Sequence, residues 1–140
     1  MIPIPSILAI IGYLICTGLI TMCIGRVIKG EGRGDLRLLR GLWLGSWLLH
    51  ALTLYTLVIT PDGLDLGFFH ALSTVTWLMV LLLLLASFRR PLENLGVVLL
   101  PVAALSVFLE IVLPSGSFRP ATTDLGLEFH IFVALLSYSI

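Results

Sequence analysis

The sequence predicts an all-α fold, a polytopic bundle of transmembrane helices that forms one domain over residues 1–140. Three observations carry this prediction. Of the 140 residues, 59% are hydrophobic and 11% are charged, far from the usual composition of a soluble domain. Apolar stretches near the length of about 20 residues that a spanning helix needs recur along the chain. The basic residues are concentrated in alternate connecting segments, as is typical of proteins that lie in a lipid bilayer.

Four apolar windows are long enough to span, and they cover residues 7–28, 41–59, 68–88 and 92–113. A fifth window, 129–140, would reach only roughly 18 Å into a hydrocarbon core about 30 Å thick. Because helical carbonyls without partners are costly in lipid, we expect this window to be a truncated fifth span in an N-terminal fragment of a longer protein. The alternative, a helix lying in the interface, lacks the required basic face.

The loop charges predict the orientation. Seven of the eight Lys and Arg residues fall in "GRVIKGEGRGDLRLLRG" and "SFRRPLE", whereas the other two loops carry Arg119 with four acidic residues, Asp62, Asp65, Asp124 and Glu128. The positive-inside rule therefore places the N-terminus outside. Turn residues support the boundaries: "TPDG" follows the second window, "RRP" separates the third from the fourth, and "LPSGS" follows the fourth.

Several classes of function lack their signatures. The net charge is zero and no basic cluster is interleaved with aromatic residues, which argues against nucleic-acid partners. No nucleophile–base pair, phosphate loop or HExxH is present, so no independent catalytic activity is expected. Cys16 and Cys23 share one helical face and are expected to pack there. Gly12, Gly18 and Gly25 are candidates for close helix packing in the first span.

The three histidines are the candidate functional residues. His50 lies at the middle of the second window, near the bilayer midplane, whereas His70 and His130 each open a helix at the outer surface. An imidazole in a membrane is either a ligand, for instance to haem iron, or a polar link between helices. Spacing leaves both interpretations open for His50 and favours a link or an interface position for His70.

Helical spacing also predicts which residues share a face with each histidine. The His50 face carries Trp43, Ser46, Trp47 and Thr53, and the His70 face carries Ser73, Thr74 and Trp77. Both faces are expected to point into the bundle, because polar groups in a membrane seek partners within the protein. Glu110 lies four residues before Pro114, and we expect it to be solvated or paired with Arg119 rather than to relay protons.

The stretch "TPDGLDLGFFHALSTVTWLMVLLLLLASFRRPLENLGVVLLPVAAL", followed by "GLEFHIFVALLSYSI", resembles the N-terminal half of the cytochrome c assembly family of membrane proteins. The resemblance is closest to the YpjD/HemX-like branch, related to the haem-handling proteins CcsA and CcmC, and its marks are "LHALTLY", "FRRPLENLG" and "HIxxxLLSY". It implies a multi-pass protein of the cytoplasmic (inner) membrane. Such a protein handles haem at the outer face for cytochrome c biogenesis, with other cytochrome c maturation subunits as partners.

The resemblance also implies residue roles. His130 matches the external histidine that opens a helix and would ligate haem iron, and His50 matches a histidine within an earlier span. The family's tryptophan-rich external motif and its second external histidine lie downstream, so a complete haem site is not expected within these 140 residues. The alternative is a structural or assembly subunit without a cofactor, whose polar faces bind neighbouring helices. A transporter subunit is less favoured, because no pair of interrupted helices is evident.

Overall fold

The computed structural model describes residues 4–32, 36–60, 63–64, 67–113, 130, 133–134 and 137–138. Within these ranges lie four helices: α1 (Ile4–Ile28), α2 (Leu36–Val58), α3 (Phe68–Arg89) and α4 (Gly96–Val112), the last preceded by a 3-10 turn, Glu93–Leu95. Counted together with that turn, all four are long and apolar enough to cross a membrane. The expected all-α, multi-pass architecture is thus confirmed for the described residues, while the fifth window falls mostly outside them.

The four helices form a square. α1 packs against α2 and α4, and α3 packs against the same two helices. Early residues of one helix contact late residues of the next, as in the hydrogen bond from Ser6 of α1 to Thr53 of α2, so successive helices run in opposite directions. We call the end where α1 and α3 finish the basic end, since six of the described basic residues gather there: Arg26, Lys29, Arg37, Arg40, Arg89 and Arg90.

The opposite end of the bundle carries a short hairpin. Two strands of two residues each, β1 (Ile59–Thr60) and β2 (Gly63–Leu64), pair antiparallel between α2 and α3, with Ile59 opposite Leu64 and Thr60 opposite Gly63. This places the hairpin at the position where "TPDG" predicted a turn. We call this end the hairpin end, and the side chains of Asp62 and Asp65 lie outside the described residues.

Helix boundaries differ from the hydropathy windows at three of the starts. α1 begins at Ile4 rather than at residue 7. α2 begins at Leu36 rather than near residue 41, which brings Arg37 and Arg40 from the predicted loop into the first turns of the helix. α4 begins at Gly96 rather than at 92, because the 3-10 turn precedes it. Hydropathy marks the segment that suits the lipid core, whereas backbone hydrogen bonding continues into the interface or adjusts there.

Proline fixes the ends of α3 and α4 as the sequence predicts. The residue before Pro91 is Arg90, which is extended with φ −137° and ψ 148°. The residue before Pro114 is Leu113, which has φ −107° and ψ 94°. The ring of a proline disfavours helical backbone in the residue that precedes it, so both helices finish before these positions.

The helices are apolar on their outward faces as well as in the core. Large side chains that are fully enclosed include Tyr13, Ile20, Trp43, Val80 and Leu100. Leucine, isoleucine and phenylalanine are also about half exposed on the outside, as at Leu14, Leu85 and Phe108. A helix that is hydrophobic on all sides is buried in a large core or surrounded by lipid, and for a bundle of four helices the latter applies.

One glycine allows a close approach between α1 and α2. A methyl group added at Gly12 would collide with the Ser46 side chain, whereas nothing lies within 4 Å of the same position on Gly18 or Gly25. The predicted role in close helix packing is therefore confirmed for Gly12 and is wrong for the other two. Cys16 is buried in the core and Cys23 is partly exposed, and both are free thiols.

Candidate functional site

His50 lies at the centre of the bundle and joins three helices. Its side chain is 0% exposed, with Nδ1 3.0 Å from the Tyr13 hydroxyl of α1 and Nε2 2.9 Å from the Ser73 hydroxyl of α3. A neutral imidazole has one N–H donor and one acceptor nitrogen, and a hydroxyl serves as partner to either. Both ring nitrogens therefore have hydrogen-bond partners. We call Tyr13, His50 and Ser73 the His50 cluster.

The predicted His50 face points into the bundle. Trp43, Ser46 and Thr53 are buried with the histidine, which confirms the prediction from helical spacing. The Tyr13 ring stands edge-on to the imidazole, with ring centroids 5.7 Å apart and an interplanar angle of 78°. For His50 to ligate iron, one ring nitrogen would have to give up its bond to Tyr13 or Ser73.

His70 and Glu110 form a second buried pair, which joins α3 to α4 near the hairpin end. His70 Nδ1 lies 2.8 Å from Glu110 Oε1, and the two residues are 8% and 4% exposed. The expectation that Glu110 is solvated is wrong, because the carboxylate points into the bundle; Arg119, the other suggested partner, lies outside the described residues. Of the two interpretations of His70, the structure supports the link between helices.

The chemistry of the two atoms in this pair requires a shared proton. A contact of 2.8 Å between a ring nitrogen and a carboxylate oxygen needs one hydrogen between them, whether it belongs formally to His70 or to Glu110. The second carboxylate oxygen, Oε2 of Glu110, is buried and has no hydrogen-bond partner among the described residues. The pair brings an ionisable acid and an ionisable base together between neighbouring spans near the hairpin end.

Hydroxyl residues extend the polar face of α3 from His70 towards the middle of the bundle. The Thr74 hydroxyl donates to the His70 carbonyl at 2.8 Å, and Thr76 Oγ1 lies 2.7 Å from Ser106 Oγ on α4. Because Ser73 bonds α2 and Thr76 bonds α4, α3 presents polar side chains to both of its neighbours. The sequence predicted the polar face at Ser73 and Thr74, whereas the pairing of Thr76 with Ser106 was not predicted.

Two tryptophans, Trp47 and Trp77, join α2 to α3. The rings of Trp47 and Trp77 stack with centroids 4.9 Å apart and an interplanar angle of 10°. Each indole N–H donates to the backbone carbonyl of the other residue at 3.2 Å. The two hydrogen bonds are symmetric. They give each of these partly buried tryptophans an acceptor for its indole N–H, and the other ring provides its stacking partner.

At the basic end, an ion pair joins α2 to the turn before α4. Arg40 Nη2 donates to Glu93 Oε1 at 2.7 Å and to the Ser87 carbonyl at 2.8 Å, and the guanidinium lies 5.0 Å from the centre of the Phe88 ring. The sequence did not predict this pair. Its only signals were an arginine just before an apolar window and an acid just after "RRP", and neither signal identifies the partner.

The described residues offer a limited set of metal ligands. No group of three or more His, Cys, Asp or Glu side chains that would hold a metal ion occurs among them. His130 is helical and exposed, and within the described ranges it has no hydrogen bond or ion pair. Of the two histidines predicted to contact haem, His130 thus has an exposed imidazole with no partner among the described residues, whereas both ring nitrogens of His50 already have partners.

The chain matches no family model, no curated protein and no solved structure. The relationship to the cytochrome c assembly family consequently stays a prediction that depends on the sequence stretches quoted above.

Proposed function

We propose that this chain belongs to a membrane protein of the cytochrome c assembly type, and that it handles haem at the outer face of the cytoplasmic membrane. The observation that supports the proposal is the exposed imidazole of His130, which would be accessible to ligate haem iron. When bound, haem would supply the iron that this histidine ligates. The chain itself contributes a bundle of four helices, which are joined by buried polar contacts.

His50 has a different role in this proposal. Its two nitrogens already bond the Tyr13 and Ser73 hydroxyls, so the imidazole fits haem iron poorly in this conformation. We assign to it the joining of α1, α2 and α3, which positions the spans on which an outer haem site would be built. It would reach iron only if one of those two hydrogen bonds were exchanged for a coordinate bond.

An absorption spectrum tests the ligand assignment. The protein is expressed from its native gene in haem-replete cells, and His130→Ala is compared with His50→Gln, which keeps a hydrogen-bonding side chain within the bundle. We expect wild type to show a Soret band that is lost or shifted in His130→Ala and preserved in His50→Gln. A protein free of haem under these conditions, or a spectrum indifferent to His130→Ala, contradicts the proposal.

A second function is favoured by the observation that both ring nitrogens of His50 already have hydrogen-bond partners. In this alternative the protein is a structural or assembly subunit without a cofactor, and its polar faces serve only to bind helices. His50→Gln then alters the stability of the bundle or its association with partners, while no haem-dependent signal changes in any variant. The spectra above and a stability measurement on the same samples separate the two proposals.

A further inference from the structure

An open cleft lies at the basic end, between the last turn of α3 and the start of α4. Its volume is about 190 Å³. We call it the basic cleft, and its lining includes three arginines, a carboxylate and an aromatic ring: Arg40, Ser87, Phe88, Arg89, Arg90 and Glu93. Because α3 ends and α4 begins here, the cleft lies where a spanning bundle leaves the hydrocarbon core and enters the headgroup region.

The charge of the basic cleft is positive. The Arg40 guanidinium is balanced by Glu93 in the ion pair described above. Arg89 and Arg90 are exposed and form no ion pair with any described residue, so two positive charges are uncompensated. In addition, Nε of Arg40 is buried and has no acceptor among the described residues. The lining thus combines two free guanidinium groups with a third that is held in place.

Guanidinium groups favour phosphate. Their planar N–H donors match pairs of phosphate oxygens, and basic pockets between spanning helices are suited to anionic headgroups. Arg40 is fixed by three contacts, with Ser87, Glu93 and Phe88, so this part of the lining is already ordered before a ligand binds. A phosphate group that entered would need to order only the side chains of Arg89 and Arg90.

Apolar side chains next to the cleft distinguish a lipid from a free anion. Phe88 is 61% exposed at the end of α3, Leu95 is 58% exposed at the end of the 3-10 turn, and Val98 is 71% exposed in the first turn of α4. Phe88 lines the cleft itself, and Leu95 and Val98 follow Glu93 closely along the chain, so this end of the bundle offers apolar surface for acyl chains. An inorganic phosphate ion would gain nothing from them, whereas a phospholipid would bury apolar area on them as well.

We propose that the basic cleft binds the phosphate headgroup of an anionic phospholipid. The lipid's phosphate contacts Arg89 and Arg90 beside the ordered Arg40, and its acyl chains lie along Phe88 and the first turn of α4. This site is independent of the haem proposal, because its lining includes neither His130 nor His50. Such a site makes the protein selective for anionic phospholipids among the lipids that surround it.

Native mass spectrometry of the whole protein released from detergent tests the site, with phosphatidylglycerol and phosphatidylcholine as probes. The cleft variant is Arg89→Gln with Arg90→Gln, two exposed positions whose change leaves the Arg40–Glu93 pair intact. The matched control is Arg26→Gln with Lys29→Gln, which removes the same charge from the same end of the bundle, outside the cleft. A third arm adds inorganic phosphate as a competitor.

We expect wild type to retain phosphatidylglycerol in preference to phosphatidylcholine. The cleft variant should bind phosphatidylglycerol roughly 30-fold more weakly, from about one kcal/mol for each basic residue near an anionic surface, and the control should bind it nearly as well as wild type. Equal losses in the two variants, or no loss in either, overturn the proposal. Displacement of the lipid by inorganic phosphate alone at comparable concentration also overturns it, since the ligand would then be a free anion.

Discussion

The His50 cluster and the His70–Glu110 pair both use a buried histidine to join helices, yet they differ in what the histidine meets. His50 meets two neutral hydroxyls and both of its nitrogens have partners. His70 meets a carboxylate whose other oxygen has no hydrogen-bond partner among the described residues. Losing a neutral hydrogen bond in a membrane costs little, whereas an ionisable group left alone in a low dielectric costs much more. The two histidines should therefore respond very differently to substitution.

The largest effect is expected at His70. His70→Leu leaves the Glu110 carboxylate buried without its partner, and we expect a loss of about 3 kcal/mol in the free energy of unfolding, as for a buried pair cut on one side. Titration of the purified protein with a denaturing detergent, followed by circular dichroism, measures it. The control is His70→Leu with Glu110→Leu, which removes both polar groups and should recover most of the loss. A double variant as unstable as the single one would show that shape, not charge, determines the cost.

A smaller effect is expected at His50. His50→Leu leaves the hydroxyls of Tyr13 and Ser73 without their partner, but both groups are neutral, and we expect a loss of about 1.5 kcal/mol. The same detergent titration measures it. Tyr13→Phe in the His50→Leu background removes one of the two orphaned groups and should restore part of the stability. The comparison between the two regions breaks down if His50→Leu is as damaging as His70→Leu.

The fold was largely predictable because lipid imposes simple rules on sequence. Apolar length located all four spans, and the prolines at 91 and 114 placed the ends of α3 and α4 correctly. The starts of α2 and α4 were less predictable. Arg37 and Arg40 are too polar for the lipid core, so hydropathy excluded them, yet the backbone at these positions is helical because the interface tolerates long basic side chains.

For the candidate site, helical spacing predicted faces but not partners. The face with Trp43, Ser46 and Thr53 around His50 followed directly from the period of the helix, and all of these residues are buried. That Tyr13 would reach His50, or that Glu110 would reach His70, depends on which helices are neighbours and at what height they meet. Glu110 was misplaced because its distance from Pro114 along the chain gives its depth and not the direction in which its side chain points.

The smallest loss in the free energy of unfolding is expected at the Trp47–Trp77 pair, in which no ionisable group takes part. Each indole N–H donates to a carbonyl within the partner helix, so removing the donor leaves no ionisable group and no lone hydroxyl. Trp47→Phe keeps an aromatic ring for stacking, and we expect a loss of about 0.7 kcal/mol by the detergent titration. Because the contact is symmetric, Trp77→Phe should cost the same within error, and each variant is the matched control of the other. If either substitution instead costs as much as His50→Leu, the ranking by charge fails, and packing between α2 and α3 rather than the chemistry of the partner determines how strongly these helices are joined.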